Sequence, residues 1–253
     1  MTTRKGDVVR VCGRGAVEVV ESPVFNDWLN RKFDHENLQL RGIEIQSSDI
    51  FGARVAFVKM KTDVVKRRSK KPVPGIVFLR GDSVTMLVFV VCKETGEIFV
   101  VTTKQARVPL GSAGFIEIPA GMLDDDEVNS RALAELDEET GLHINRRKKE
   151  KLRKLGKFTP SAGGCDEQIT CFSVTIRVSR RKMGTIAKYL RGVDEENEEI
   201  AVEFLTVEQF LAHLQLGAIT DGKAFAALMM FLLQNDSACT IVKNIVGNLV
   251  LGQ

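Results

Sequence analysis

The sequence lacks the cysteine patterns and long apolar stretches that mark several protein classes. Its five cysteines are odd in number and include no C-x-x-C pair, so neither a disulfide framework nor a zinc site is predicted, and a reducing compartment fits best. The first residues contain no apolar stretch of signal-peptide length and include acidic residues that a transit peptide would avoid. A hydrophobic fraction of 44% is ordinary for a globular protein. We therefore expect a cytoplasmic protein with no membrane partner.

The sequence also lacks a strong excess of charge. A formal net charge of +3 over 253 residues gives no argument for nucleic acid as a partner of the whole protein. Basic residues cluster at 66–71 and at 146–154, but neither run contains aromatic residues that could stack on bases. Solvated surface charge is the commoner origin of such runs. Nucleic acid is therefore not expected as a partner.

The pattern of the chain changes near residue 75. Before it come short β-like runs, such as 16–20 and 55–60, and one helix-like patch around 25–32. Residues 66–74 then indicate a linker or a long hairpin loop. A chain of this length can form a catalytic domain with a smaller companion. We expect three parts: a β-rich N-terminal domain at 1–74, a catalytic domain at 75–235, and a C-terminal tail at 236–253.

The part after residue 75 alternates strands and helices. Apolar runs at 84–92 and 98–103, joined by a turn, predict a hairpin in a mixed sheet. A helical pattern follows and ends at Gly141, and later strands are predicted at 168–178 and 200–205. Thr206 with Gln209 predicts a capping box, and Asp221 predicts the cap of a final helix. The fold class is therefore α/β or α+β, with helices covering a mixed sheet.

Three glutamates on the first of these helices indicate a metal site. Glu135, Glu138 and Glu139 stand at i, i+3 and i+4, so their carboxylates share one helical face and repel one another. A divalent cation among them would remove the repulsion. Oxygen ligands, in a chain with only three histidines, favour Mg²⁺, with Mn²⁺ as a possible substitute, over zinc. A solvated acidic face is the commoner origin of such spacing, so the surrounding sequence decides.

That surrounding sequence, residues 121–142, resembles the Nudix box. The family pattern is Gly, five residues, Glu, seven residues, Arg-Glu, an aliphatic residue, any residue, Glu-Glu, any residue, Gly and an aliphatic residue. The chain matches it from Glu135 to the end, with two departures. Ala134 replaces the box arginine, and Glu127 lies one residue too close to Glu135. Arg131, one turn before Ala134, is a candidate to replace that arginine.

The resemblance extends from about residue 25 to residue 231. It points to the branch of ADP-sugar and UDP-sugar pyrophosphatases, near ADP-ribose pyrophosphatases, and five ordered segments carry it: 73–81, 105–109, 117–126, 160–167 and 194–200. The resemblance implies the Nudix fold, a mixed sheet sandwiched between helices. It also implies a homodimer in which the N-terminal part helps to pair two subunits.

The resemblance assigns roles to individual residues. The backbone carbonyl of Ala120, together with Glu135 and Glu139, would bind metal, and Glu138 would act in catalysis by sharing a second ion. In the acidic loop at 194–199, Glu196 matches the catalytic base by position and Glu198 matches a supporting metal ligand. Glu195 and Glu198 are the alternatives for the base, because a shift of one residue is compatible with so acidic a run. Four residues are expected to bind substrate: Arg107, Glu117, Gly163 and Gly164. A guanidinium can bind phosphate oxygens in pairs, and glycines let backbone approach a ligand closely.

The function implied is hydrolysis of a nucleoside diphosphate sugar to a nucleoside monophosphate and a sugar phosphate. The substrate would be ADP-ribose, ADP-glucose or UDP-glucose, and the cofactor Mg²⁺. An alternative is hydrolysis of another diphosphate, in a dinucleotide or an RNA cap, for which the basic run at 146–154 is the only indication. A second alternative is a Nudix-fold binding module without activity, because the box is irregular.

Overall fold

A computed structural model of the protein divides the chain into two compact units. The first unit comprises Met1–Asp82 and Thr159–Gln168, and the second comprises Ser83–Phe158 and Ile169–Gln253. The structure describes residues 1–2, 5–123, 128–144, 152–192 and 199–235. The predicted tail at 236–253 and the acidic residues 194–198 lie outside the described residues.

The first unit is a five-stranded sheet covered by short helices. Its strands run in the order β1-β2-β3-β4, and β5 also pairs with β3. The strands are β1 (Arg10–Gly13), β2 (Leu38–Phe51), β3 (Arg54–Lys66), β4 (Pro72–Val73) and β5 (Ile76–Leu79). The helices are α1 (Ala16–Glu21), α2 (Pro23–Asp27) and a π-helical turn at Trp28–Lys32. The helix-like patch and the strand at 55–60 are thus confirmed.

The prediction of a β-like run at 16–20 is wrong, because these residues form α1. Three valines give the segment the composition of a strand, since β-branched side chains favour extended backbone. Packing overrides this preference: Val19 is fully buried among the apolar residues of the first unit, and Gly15 begins the helix with a left-handed backbone, φ 72°. Ser22 then ends α1 and caps α2 by accepting a hydrogen bond from the Phe25 amide.

One buried carboxylate fixes residues 159–168 to the first unit. Asp166 lies 2.8 Å from the Lys32 ammonium, which also contacts Asp82 at 2.8 Å. The backbone amides of Arg80 and Gly81 donate to the same carboxylate at 2.8 and 3.3 Å. Because the Asp166 side chain is only 2% exposed, these donors compensate a charge that would otherwise be costly to bury.

The second unit is built on a mixed seven-stranded sheet. Its strand order is β10-β11-β6-β7-β12, with β8 beside β7 and β9 beside β6, and the β11–β6 pair is parallel. The strands are β6 (Ser83–Cys92), β7 (Ile98–Arg107), β8 (Ser112–Glu117), β9 (Ala120–Met122), β10 (Arg153–Phe158), β11 (Ile169–Val178) and β12 (Ala201–Thr206). The helices are α3 (Val128–Thr140), α4 (Arg180–Lys188), α5 (Val207–Leu216), α6 (Gly222–Leu233) and a 3-10 turn at Val108–Leu110.

Helices cover both faces of this sheet, which confirms the predicted fold class. Alternate residues of β6 point to opposite faces, as they must in a strand. Met86 packs in the cluster that contains Leu136 of α3 and Ile186 of α4, whereas Leu87 packs in the cluster that contains Phe210 of α5 and Ala227 of α6. The hairpin, the capping box at Thr206 and the left-handed backbone after α3 are confirmed as well. Within the described ranges no helix is long and apolar enough to cross a membrane.

Candidate active site

The short strand β9 brings the backbone at residue 120 against the acidic helix α3. Its neighbour Pro119 is held on β6, because the Met86 amide and the Thr85 hydroxyl both donate to the Pro119 carbonyl at 2.9 Å. The Ala120 amide donates to Oε2 of Glu139 at 3.0 Å. The structure therefore brings together Ala120 and Glu139, two of the predicted metal-binding residues.

Two of the three glutamates are buried, and their negative charges lie close together. Glu135 and Glu139 are 5% and 4% exposed, whereas the Glu138 side chain is 37% exposed. Burial, followed by the negative charge of Glu135, raises the pKa of the Glu139 carboxyl well above its usual range. Two carboxylates placed together away from water favour the binding of a cation, and hard divalent cations prefer oxygen ligands.

A glycine makes room for one of these carboxylates. A Cβ atom built on Gly121 would overlap the carboxylate of Glu135, so only a residue without a side chain allows Glu135 to lie against β9. Within the described ranges, no three His, Cys, Asp or Glu side chains form a metal cluster. The available donor set is thus two buried carboxylates beside the backbone of β9. This set fits a hard cation completed by ligands from elsewhere, such as substrate or water.

A second charged network lies on β7, β8 and the start of α6. Glu117, 2% exposed, receives hydrogen bonds on Oε1 from Arg107 Nε at 2.7 Å and on Oε2 from Lys223 Nζ at 2.7 Å. Lys223 also lies 3.0 Å from Asp221, whose other oxygen accepts a hydrogen bond from the Ile118 amide at 3.1 Å. Arg107 is the end of this network that reaches solvent, with 38% of its side chain exposed.

The buried pair Glu135 and Glu139 and this network belong to the second unit, whose family the comparisons with known proteins identify. The sequence pattern of the NUDIX domain family matches residues 82–228, more than half of the chain. The protein belongs to the Nudix family.

Named relatives agree with this membership. A protein of Arabidopsis thaliana named Nudix hydrolase 14, chloroplastic, is 34% identical over 206 residues, which cover 74% of this chain and 64% of that protein. The aligned part thus spans slightly less than two thirds of the plant relative. A GDP-mannose pyrophosphatase of Citrobacter koseri is 33% identical over 157 residues, covering 60% of this chain and 74% of that enzyme. These names are consistent with the sugar-nucleotide branch predicted from the sequence.

A solved structure supports the Nudix fold. The crystal structure of an ADP compounds hydrolase superposes with a TM-score of 0.55 and covers 79% of this chain and 94% of that chain. At 12% sequence identity, this similarity concerns the fold alone.

Arg131 contacts both α3 and β9, and the Nudix box has no arginine at position 134 that could do so. Its guanidinium forms an ion pair with Glu135 one turn later and lies 3.7 Å from Glu138. Its Nε donates to the Met122 carbonyl at 3.1 Å. Arg131 therefore joins the end of β9 to α3, which supports the hypothesis that it replaces the arginine missing at Ala134.

Lys223 is a member of this network that the sequence did not predict. Asp221 was predicted only as a helix cap, which is confirmed by its hydrogen bond from the Lys223 amide at 3.0 Å. A lysine in the first turn of a helix opposes the helix dipole, and this was an available signal for an acidic partner. Gln105 stands two residues before Arg107, is 7% exposed, and its Nε2 has no hydrogen-bond partner within the described part of the chain.

Four other predicted residues lie in the first unit or outside the described residues. Gly163 and Gly164 lie in a turn of the first unit, where an added Cβ would meet nothing within 4 Å. The Gly164 carbonyl accepts a hydrogen bond from the Phe78 amide at 2.7 Å. Their substrate-binding role stays a prediction. Glu196 and Glu198 lie outside the described residues, so their roles as base and metal ligand stay predictions too.

Proposed function

We propose that the protein is a metal-dependent hydrolase that cleaves the diphosphate of a nucleoside diphosphate sugar. The observation that carries the proposal is the pair of buried carboxylates, Glu135 and Glu139, packed against β9 at Gly121. A bound Mg²⁺ would neutralise phosphate charge and lower the pKa of an attacking water. In the reaction, water adds to one phosphorus and the bond from that phosphorus to the bridging oxygen breaks. The products are a nucleoside monophosphate and a sugar phosphate.

The roles of individual residues follow from their exposure and partners. Glu135 and Glu139 would hold the cation, and the half-exposed Glu138 would share a second ion. Arg107 has an exposed guanidinium and would bind the diphosphate, because Glu117 occupies only part of its hydrogen-bonding capacity. Glu196 would take the proton of the attacking water, as the family resemblance implies.

Support for a sugar nucleotide as substrate comes from the relatives. GDP-mannose is the substrate named for the Citrobacter enzyme, and the solved structure is titled an ADP compounds hydrolase. ADP-ribose, ADP-glucose and UDP-glucose remain the proposed substrates, and GDP-mannose joins them.

A substrate panel tests this function. Purified protein with Mg²⁺ is incubated with these four sugar nucleotides, a dinucleotide and capped RNA, and phosphate released by an added phosphatase is measured. We expect turnover of at least one sugar nucleotide and a strong loss in Glu196→Gln. Faster turnover of the dinucleotide or of capped RNA would favour that compound as the substrate over a sugar nucleotide. If no compound is turned over, the result would favour a Nudix-fold binding module without activity. Full activity of Glu196→Gln would remove only the base assignment.

Exposed apolar side chains on the first unit support the proposal of a homodimer. Phe51 and Ile76 are 56% and 66% exposed, and the rings of Phe57 and Phe78 stack at 5.7 Å on the same sheet. Contiguous apolar surface of this kind marks interaction sites. We expect light scattering to give twice the chain mass for the parent and the monomer mass for a Phe51→Ser, Phe78→Ser double variant. Phe225→Ser, at an exposed position of the second unit, is the matched control and should remain dimeric. A monomeric parent would contradict the proposal.

A cytoplasmic location stays a proposal, based on the cysteine content of the sequence. The name of the Arabidopsis relative places that protein in the chloroplast. Microscopy of the full-length protein fused to a fluorescent protein would decide, and signal confined to an organelle would overturn the cytoplasmic assignment.

A further inference from the structure

The ammonium group of Lys223 lies between two carboxylates, those of Glu117 and of Asp221, the cap of α6. Lys223 is the second residue of α6, and its amine contacts Oε2 of Glu117 at 2.7 Å and Oδ1 of Asp221 at 3.0 Å. Its side chain is 17% exposed. A cation near the start of a helix opposes the helix dipole, and burying it costs hydration energy. Its two acidic partners offset these costs, and one of them, Glu117, lies outside α6 and joins Lys223 to Arg107.

The lysine stays charged in spite of its burial. Burial lowers the pKa of Lys223, but the negative charges of Asp221 and Glu117 outweigh it, so the net direction is upward. Glu117 lies between two basic side chains, Lys223 and Arg107. Because Oε2 of Glu117 is bound to Lys223, the plane of the carboxylate cannot rotate freely, and Oε1 remains directed at Arg107.

Oε1 of Glu117 in turn fixes the guanidinium of Arg107. Nε and Nη2 of Arg107 lie 2.7 and 2.6 Å from this one oxygen. A guanidinium has five N–H donors in a rigid plane, so a pair of contacts on one side leaves the remaining donors directed away from Glu117. The exposed fraction of Arg107, 38%, shows that this free side is accessible.

We propose that Lys223 is a positioning residue for substrate binding, which acts through Glu117 to hold the guanidinium of Arg107 in the orientation that binds a diphosphate. The inference rests on the proposed function, because it assumes that Arg107 binds the substrate's phosphates. It assigns the start of α6, 106 residues from Glu117 in the chain, to the binding of substrate and not to the chemical step.

A double-mutant cycle between Lys223 and Arg107 tests this role. Lys223→Met and Arg107→Met are each expected to raise KM about tenfold while kcat changes less than about threefold, the size of one lost charged hydrogen bond. In the Arg107→Met background, Lys223→Met should change KM by less than about twofold, because a residue that acts only through Arg107 has nothing left to position. The substrate is the sugar nucleotide of the panel that the parent hydrolyses fastest.

Binding of inorganic pyrophosphate in the presence of Mg²⁺, measured by calorimetry, gives a readout that does not need turnover. We expect the same weakening and the same non-additivity. If no sugar nucleotide is hydrolysed but pyrophosphate binding shows this coupling, the proposed function fails and the positioning role stands. Additive losses, or an unchanged KM and pyrophosphate affinity in Lys223→Met, would remove the positioning role.

Two controls separate positioning from folding. Lys182→Met, at an exposed position of α4, should leave KM unchanged. Lys223→Gln serves as a second variant in the same cycle, and thermal unfolding is recorded for every protein. If neither Lys223 variant folds, the residue is structural and the proposal is overturned.

Discussion

Substitution of Glu139 by glutamine should lower kcat/KM by about a thousandfold, the effect of losing several kcal/mol of charge stabilisation in the transition state. The substitution keeps the size of the side chain and its hydrogen bond from the Ala120 amide, but it removes the charge that would hold the cation. The raised pKa of Glu139 shows how poorly its charge is compensated without metal, so the neutral variant should fold at least as well as the parent. Steady-state kinetics on the best panel substrate measure the effect.

Metal binding by this residue can be measured without substrate. At a magnesium concentration a hundredfold above its dissociation constant, binding adds about 2.7 kcal/mol to the free energy of unfolding. The midpoint of thermal unfolding of the parent should therefore rise with Mg²⁺, and that of Glu139→Gln should rise much less. Glu208→Gln, at an exposed position of α5, is the matched control and should behave as the parent does. Equal activity of Glu139→Gln and the parent would refute the metal assignment.

The smallest possible side chain added at Gly121 should also abolish most activity. In Gly121→Ala the new methyl group would occupy the space of the Glu135 carboxylate, which must then rotate away from β9 and from the neighbouring Glu139. We expect a loss of kcat/KM of about a hundredfold or more, since a ligand displaced by about 1 Å already disturbs catalysis to that extent. The stabilisation by Mg²⁺ should fall in parallel, because the variant loses one of its two buried ligands.

A second glycine provides the control for this substitution. Gly184 lies in the exposed part of α4, where an added Cβ meets nothing within 4 Å. Gly184→Ala should keep full activity and gain about 0.4–1 kcal/mol in stability, because alanine restricts the unfolded chain. If Gly121→Ala retained parental activity and magnesium response, the position of Glu135 against β9 would not matter for function.

Local signals in the sequence were sufficient for most of the fold of the second unit. The capping box at Thr206, the cap at Asp221 and the left-handed glycine after α3 are each determined by a few neighbouring residues, and each is found in the structure. Helix α1 shows the limit of such signals. Its valines favour a strand locally, and only the burial of Val19 among residues distant in the chain decides for a helix.

The candidate site shows the same difference between local contacts and contacts that are distant in the chain. The spacing of Glu135 and Glu139 on one helix is a local property, so their approach to each other could be predicted from the sequence. The contact of Lys223 with Glu117 joins residues 106 positions apart, and no periodicity links them. Arg131 makes one contact of each kind. Its ion pair with Glu135 follows from their spacing on one helix, but its hydrogen bond to the Met122 carbonyl depends on the packing of β9 against α3.

The burial of Asp166 in the first unit has a consequence for the order in which the protein is made. The chain leaves this unit after Asp82, returns at Thr159 and leaves again after Gln168. During synthesis on a ribosome, Lys32 and Arg80 are therefore made long before Asp166, the partner that they share. The first unit cannot be completed until most strands of the seven-stranded sheet of the second unit have also left the ribosome. A fragment that ends at Asp82 would lack this anchor, so the first unit is not a module that can be detached with a single cut.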